Sequence, residues 1–204
     1  MNDSSKIKRV NGTDESLLIK KAKQGNQQSL SELVNRYSER VYNLALRILR
    51  NKEDAEDILQ ETFLTVLKKL SDFDERSSFF TWIYRIATNA SLMKLRRKKI
   101  TASEYLDHPD FEQSVKDRML QDWSQSPALG VEDQELKKVL DGAINDLSEM
   151  YRTVFILRDI EDVSIKDTSQ ILDISEENVK IRLRRARLFL RDKLSAYFSE
   201  RIPS

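Results

Sequence analysis

Apolar residues recur at steps of three and four from Ser29 to Arg50. Leu30, Leu33, Val34, Tyr37, Val41, Leu44, Ala45 and Ile48 mark one stripe of an amphipathic helix there. A shorter helical piece around Leu17, Leu18 and Ala22 precedes it. After the polar break Asn51–Asp54, the set Ala55, Ile58, Leu59, Phe63, Val66, Leu67 and Leu70 repeats the pattern. A fourth helix is predicted from about Ser78 to Arg97, beyond the turn Asp72–Ser77. Long helices that each carry one apolar face can close a small core among themselves.

The pattern then lapses. Between Glu104 and Glu135, acids at Glu104, Asp107, Asp110, Glu112, Asp117, Asp122, Glu132, Asp133 and Glu135 face only Lys116 and Arg118, with Pro109, Pro127 and Gly130 interspersed. Such a composition reads as an extended linker, partly disordered, with room for one short helix near Phe111 to Trp123. Order resumes with Leu136, Val139, Leu140, Ala143, Ile144 and Leu147 on one helix and Tyr151 to Ile160 on a second. Ser164, followed at the third position by Asp167, reads as an N-cap with an acidic partner for a short helix ending near Leu172. Ser175 caps the last helix, whose first turn carries Glu176 and Glu177 where the helix dipole favours acids. Two helices separated only by Asp173-Ile174 form a helix-turn-helix, an arrangement that reads DNA.

Composition narrows the field. Only 4 Gly and 3 Pro occur among 204 residues, few of the turn signals that punctuate sheets, so the fold class expected is all-α. Two small helical domains joined by a flexible acidic linker are predicted: a disordered N-terminus over 1–14, a helical domain over 15–100, the linker over 101–131, and a C-terminal domain with the helix-turn-helix over 132–198. The absence of Cys and a single His, His108, argue against disulfides, thiolate zinc sites and the usual nucleophile pairs. No metal site, cofactor or catalytic residue is expected. His108, beside Pro109, reads as an ordinary exposed side chain. No signal peptide or membrane span is visible, and a cytoplasmic location is expected.

Charge is where chemistry enters. The formal net charge is +1, yet Glu176 to Leu194 carries seven basic residues against three acidic ones. At about 100° per residue, Val179, Leu183, Ala186 and Leu190 form an inward stripe, while Lys180, Arg184, Arg187 and Arg191 fall on an adjacent arc about 60° wide, broadened by Arg182 and Arg185. An isolated charge run is usually a solvated helix face. Following a capped helix across a two-residue turn, it points instead to duplex DNA. In such motifs the first half of the second helix enters the major groove, which makes Asn178, Lys180, Ile181, Arg184 and Arg185 the candidate readers rather than Arg187 or Arg191.

A second candidate surface is the segment SSFFTWIYRIATNASLMKLRRKK, with Phe79, Phe80, Trp82 and Tyr84 ahead of Arg96-Arg97-Lys98-Lys99. Aromatic faces stack on unpaired bases at about 1–3 kcal/mol each while cations hold the backbone. The helical period places Phe79, Ile83, Ile86 and Ala90 on one buried face with Phe80 and Ala87 near it. At least half of the rings are therefore expected in the core, with Trp82, Tyr84, Arg85 and Asn89 exposed. A third patch puts Asp54, Asp57 and Glu61 at spacings of three and four, with Gln60 beside them. Such ridges are usually solvated carboxylates and less often a docking face for a protein.

In this order, DAEDILQETFLTV, FFTWIYRIATNASLMKLRR and LSEMYRTVFILRDIEDVSIKDTSQILDISEENVKIRLRRAR resemble the signature stretches of the bacterial extracytoplasmic-function sigma factors, over about residues 15 to 198 apart from the linker. The resemblance implies a first domain that binds core RNA polymerase and opens the minus-ten promoter element, and a second that reads the minus-thirty-five element as duplex. It implies Asp54, Asp57, Gln60 and Glu61 against the polymerase. It implies Ser77, Phe79, Phe80, Trp82, Tyr84, Arg85, Asn89, Lys94, Arg96 and Arg97 around melted promoter DNA, with the turn Asp74–Ser78 capturing a flipped base. An anti-sigma factor is an implied partner, and the acidic linker would thread toward the RNA exit path. Some positions depart from the family. Asp173 stands where Gly is frequent, Glu177-Asn178 where Gly-Thr is frequent, and Ile181 replaces a small polar residue. Asp tolerates left-handed backbone, so the turn is expected to survive.

One alternative is a stand-alone helix-turn-helix regulator of duplex DNA, which leaves the aromatic and basic helix without a task. An enzyme or small-molecule binding protein is the other, and no phosphate-cradling Gly loop, metal cluster or nucleophile pair supports it.

Overall fold

In the computed structural model, residues 12–102 and 134–199 are described. Residues 103–131 of the expected linker, the short helix near Phe111 to Trp123, His108 and residues 1–11 lie outside them; positions 101–102, given to the linker, end a helix instead, and 12–14, expected to be disordered, begin one. Among the described residues there are eight α-helices and no strand. They belong to two compact units, each taken by itself below.

The first unit, up to Ser91, holds α1 (Gly12–Lys23), α2 (Gln27–Leu49), α3 (Lys52–Lys69) and the first half of α4 (Phe79–Ala102). Gly25, at φ 87°, makes the turn between α1 and α2. Asn26 then caps α2 by accepting from the Ser29 N–H at 2.8 Å. The expected α2 stripe is the core: Leu33, Tyr37, Val41, Leu44, Ala45 and Ile48 are all buried. At the far end Arg50 turns left-handed at φ 58° and Asn51 accepts from the Asp54 N–H at 2.9 Å, so α3 starts at once. The polar stretch read as a break is therefore the first turn of α3. Its acids Glu53 and Asp54 sit where the helix dipole favours them.

Helix α1 is tied to α2 by polar contacts. Tyr37 donates to Glu15 at 2.5 Å, and Arg36 pairs with Asp14 at 2.7 Å and with Glu32. Burial, helped by the Glu15 carboxylate, pushes the Tyr37 phenol far above its ordinary range. Leu67, counted above among the apolar face of α3, is 47% exposed and is not core.

The second unit holds α5 (Gln134–Asp146), α6 (Glu149–Phe155), α7 (Ile165–Leu172) and α8 (Glu176–Ser199). Helix α6 runs on into a π turn over Ile156–Ile160, closed by Glu161 N–H to the Ile156 carbonyl at 2.9 Å. The single helix predicted from Tyr151 to Ile160 is thus two kinds of helix in series, which periodicity does not distinguish. Ala143, Leu147, Ala186 and Leu190 form one cluster, and Val154, Val179 and Leu183 another, with Phe155 packed against both. Ile156, Leu157, Val163 and Ile171 are buried as well.

Candidate nucleic-acid interfaces

The helix-turn-helix is assembled by its caps. Ser164 accepts from the Asp167 N–H at 2.9 Å and its hydroxyl donates to the Asp167 carboxylate at 2.5 Å, opening α7. Asp173 ends that helix at φ 54° and ψ 47°, left-handed as its side chain permits, and the Ile174 N–H reaches back to the Ser169 carbonyl at 3.1 Å. Ser175 then accepts from the Asn178 N–H at 3.1 Å and opens α8.

On α8 the inward stripe is as predicted: Val179, Leu183, Ala186 and Leu190 are buried. Of the candidate readers, Asn178, Lys180, Ile181 and Arg184 are exposed. Arg185 is half-buried and donates to the Tyr151 hydroxyl at 3.1 Å, which fixes where its guanidinium stands. The two cations set aside above carry acidic neighbours. Arg187 makes a two-pronged pair with Asp159 at 2.8 and 2.7 Å, and Arg191 lies 3.3 Å from Asp192. The Asp159 hydrogen bonds, more than its charge alone, raise the Arg187 guanidinium further above its ordinary value. Asp159 lies outside the motif in sequence, and no local signal marked it.

Helix α4 sorts its aromatic residues. Phe79 is buried, edge-on to Tyr37 at 5.3 Å and to Phe73 at 5.5 Å. Tyr84, expected in solvent, is 1% exposed, stacked on Phe80 at 4.1 Å, with burial pushing its phenol up to about 12. The Arg40 guanidinium of α2 covers the half-buried Phe80 ring at 5.9 Å. Phe79 and Tyr84 therefore belong to the unit's own packing, which corrects their assignment to melted DNA, while Phe80 is half-buried, as Trp82 is. The cause is the breadth of the buried arc. It runs from Phe79 through Ile83, Ala87 and Ser91 to Tyr84 and Thr88, about 180° by the helical period, wider than one packing face.

Opposite that arc a stripe remains. Trp82 is half-buried, and Arg85, Asn89, Met93 and Arg96 are exposed. Met93, 51% exposed, was missed in the sequence because an isolated Met reads as core. Arg97 is exposed at the edge of the stripe, while half-buried Lys94 falls on the side of the buried arc. The Trp82 ring rests on Phe73 at 5.0 Å, and Phe73 is held by Lys23 of α1, which donates to its carbonyl and lies over its ring at 5.5 Å. The turn ahead of α4 is folded on itself. Arg76 pairs with Asp74, Glu75 is left-handed at φ 60°, and Ser78 caps α4 by accepting from the Thr81 N–H at 3.1 Å. The Arg76 backbone N–H, with the Arg76 side chain, lowers the Asp74 carboxyl below its ordinary value. Ser77 is half-exposed beside it.

On α3, Asp57, Gln60 and Glu61 are exposed and share a surface with Leu64, 55% exposed, and Leu67. Asp54 is 8% exposed at the helix start, so it does not stand on the ridge. Its first-turn position turns it toward the unit, which a spacing of three and four did not reveal. A ridge that combines acids with two bare leucines suits a protein partner better than DNA.

A helix-turn-helix whose second helix is basic is an arrangement that reads duplex DNA. Residues 33–100 match the model of sigma-70 region 2 and residues 137–190 that of sigma-70 region 4. Similar chains include the ECF RNA polymerase sigma factors SigW and SigM of Bacillus subtilis. SigW is 35% identical, over 86% of this chain and 94% of its own; SigM is 33% identical, over 78% and 91%. The fold is shared with CnrH, solved in complex with the cytosolic domain of CnrY, at a TM-score of 0.64 and 24% identity over 89% of this chain and 97% of that one. It is shared too with the sigma factor RpoE of Bartonella quintana, solved with the anti-sigma factor NepR, at a TM-score of 0.60 and 20% identity over 81% and 96%. The chain belongs to the extracytoplasmic-function sigma factors of the sigma-70 family.

Proposed function

We propose that this sigma factor binds core RNA polymerase, directs it to specific promoters and helps open the DNA there, with each task on its own surface. Residues 15–100 carry the polymerase and minus-ten contacts, and 132–198 carry the minus-thirty-five contacts. Asn178, Lys180, Ile181 and Arg184, with Arg185 held by Tyr151, read duplex. Trp82, Arg85, Asn89 and Arg96, flanked by Ser77 and Arg97, hold the melted strand, with Phe80 and Lys94 set farther round the helix. Asp57, Gln60 and Glu61 dock on the polymerase together with Leu64 and Leu67. The acidic stretch 101–131 runs toward the RNA exit path, where negative charge mimics nucleic acid. Catalysis belongs to the polymerase, the site of action is the cytoplasm, and an anti-sigma factor is the regulatory partner. No helix among the described residues is long and apolar enough to cross a membrane.

The observation that carries this reading is the α4 stripe, an aromatic ring in line with exposed Arg85, Asn89 and Arg96. A regulator that binds only duplex has no use for it. The polymerase face is tested by combining Gln60→Ala with Glu61→Lys. Affinity for core polymerase is expected to fall about 10–100-fold, the cost of about 1.4–2.8 kcal/mol at a protein interface. Unchanged co-purification of the variant with core polymerase would remove α3 from the interface.

A further inference from the structure

Lys180, Arg184, Arg187 and Arg191 share an arc of α8 but not a state. Lys180 and Arg184 are exposed, and the Lys180 ammonium comes no nearer than 4.0 Å to the Glu177 carboxylate. Arg187 is held by both oxygens of Asp159, at 2.7 and 2.8 Å. Asp159 sits in the π turn that follows α6, so the pair joins two elements of one unit. A two-pronged pair fixes the plane of the guanidinium as well as its charge. With side chains 41% and 21% exposed, it stands at the margin of the basic surface, where ion pairs add little to folding stability. Its larger consequence is electrostatic. A cation already occupied by a carboxylate releases no counterion from a phosphate, and counterion release is what drives sequence-independent DNA binding.

We propose that Asp159 withholds Arg187 from the DNA backbone, keeping the free chain's grip on duplex one phosphate contact weaker than the charge of α8 allows. The proposal rests on α8 being the duplex-facing helix. Its effect is to hold down binding by the chain alone at any sequence.

The test is fluorescence anisotropy of the full chain on a labelled promoter duplex and on a duplex of unrelated sequence, over a range of salt. Asp159→Asn is expected to steepen the slope of log affinity against log salt by about 0.9 on both duplexes, raising affinity about eightfold near 0.1 M salt. Arg187→Gln alone is expected to leave the slope as it is, with affinity at or somewhat below the parent's because Asp159 is left unpaired, and Asp159→Asn with Arg187→Gln to return to the parent values. An unchanged or shallower slope in Asp159→Asn overturns the proposal. So does a gain that persists in the double variant, which would come from repulsion by Asp159 itself. A slope lowered by about one unit in Arg187→Gln also overturns it and needs no folded Asp159 variant, because Arg187 would already touch a phosphate. Lys180→Ala with Arg184→Ala in the same titration separates the two levels. If it loses no slope, the duplex-facing role of α8 fails rather than the role of Asp159.

Discussion

Replacing Lys180 and Arg184 together by alanine is expected to lower promoter-directed transcription about thirtyfold or more while leaving association with core polymerase within about twofold. Both side chains are exposed on the first half of α8, the part that Ser175 and its bond to the Asn178 N–H set at the mouth of the helix-turn-helix. If both touch phosphate, the slope of DNA binding against salt falls by about 1.8, which near 0.1 M salt is a factor of about sixty. If either reads a base edge, about 1–3 kcal/mol of discrimination is lost as well. Polymerase association is assigned to α3 in the other unit, so it has no reason to follow. Run-off transcription and co-purification with core polymerase, measured on the same variant, check the pair. Equal loss in both assays would contradict the division of labour.

Ile171→Ala is expected to unravel the helix-turn-helix without disturbing α2 and α3. Helix α7 spans 8 residues, too short to persist alone, and of its apolar side chains Ile171 is the one fully buried. Truncating a buried Ile costs about 2–5 kcal/mol, and a domain of this size has about 3–5 kcal/mol to lose. Hydrogen exchange reads the outcome element by element. Protection in α7 and α8 is expected to collapse toward solvent rates while that of α2 and α3 stays. Retained protection in α7 would mean that its hold comes from elsewhere.

Much of the fold was legible because regular spacing and caps are local signals. The α2 stripe from Leu33 to Ile48, and the Ser164 and Ser175 caps, needed only a few neighbouring residues to be recognised, and the left-handed turn at Asp173 needed one. What escaped was anything set by a second partner. Helical spacing gives an angle but not the width of the buried arc, so Tyr84 was placed in solvent and Leu67 in the core. Asp54 has the same spacing from its neighbours as the exposed acids, and only its place in the capped first turn of α3 buries it. The π turn after α6 and the grip of Asp159 on Arg187 depend on contacts across the unit, which no run of adjacent residues encodes. At the level of surfaces, the basic half of α8 and the stripe from Trp82 to Arg96 were both visible in sequence. Of the rings on α4, the structure buries Phe79 and Tyr84 and leaves Phe80 and Trp82 half-buried.

Two helical units are proposed to grip separate stretches of one promoter, one melted and one paired, for a polymerase that supplies the chemistry. Run-off transcription with purified core polymerase and this chain on a promoter library measures it most directly. Discrete transcripts from defined start sites are expected, and they vanish when the chain is left out. Transcripts no different from those of core polymerase alone, across the whole library, would contradict it.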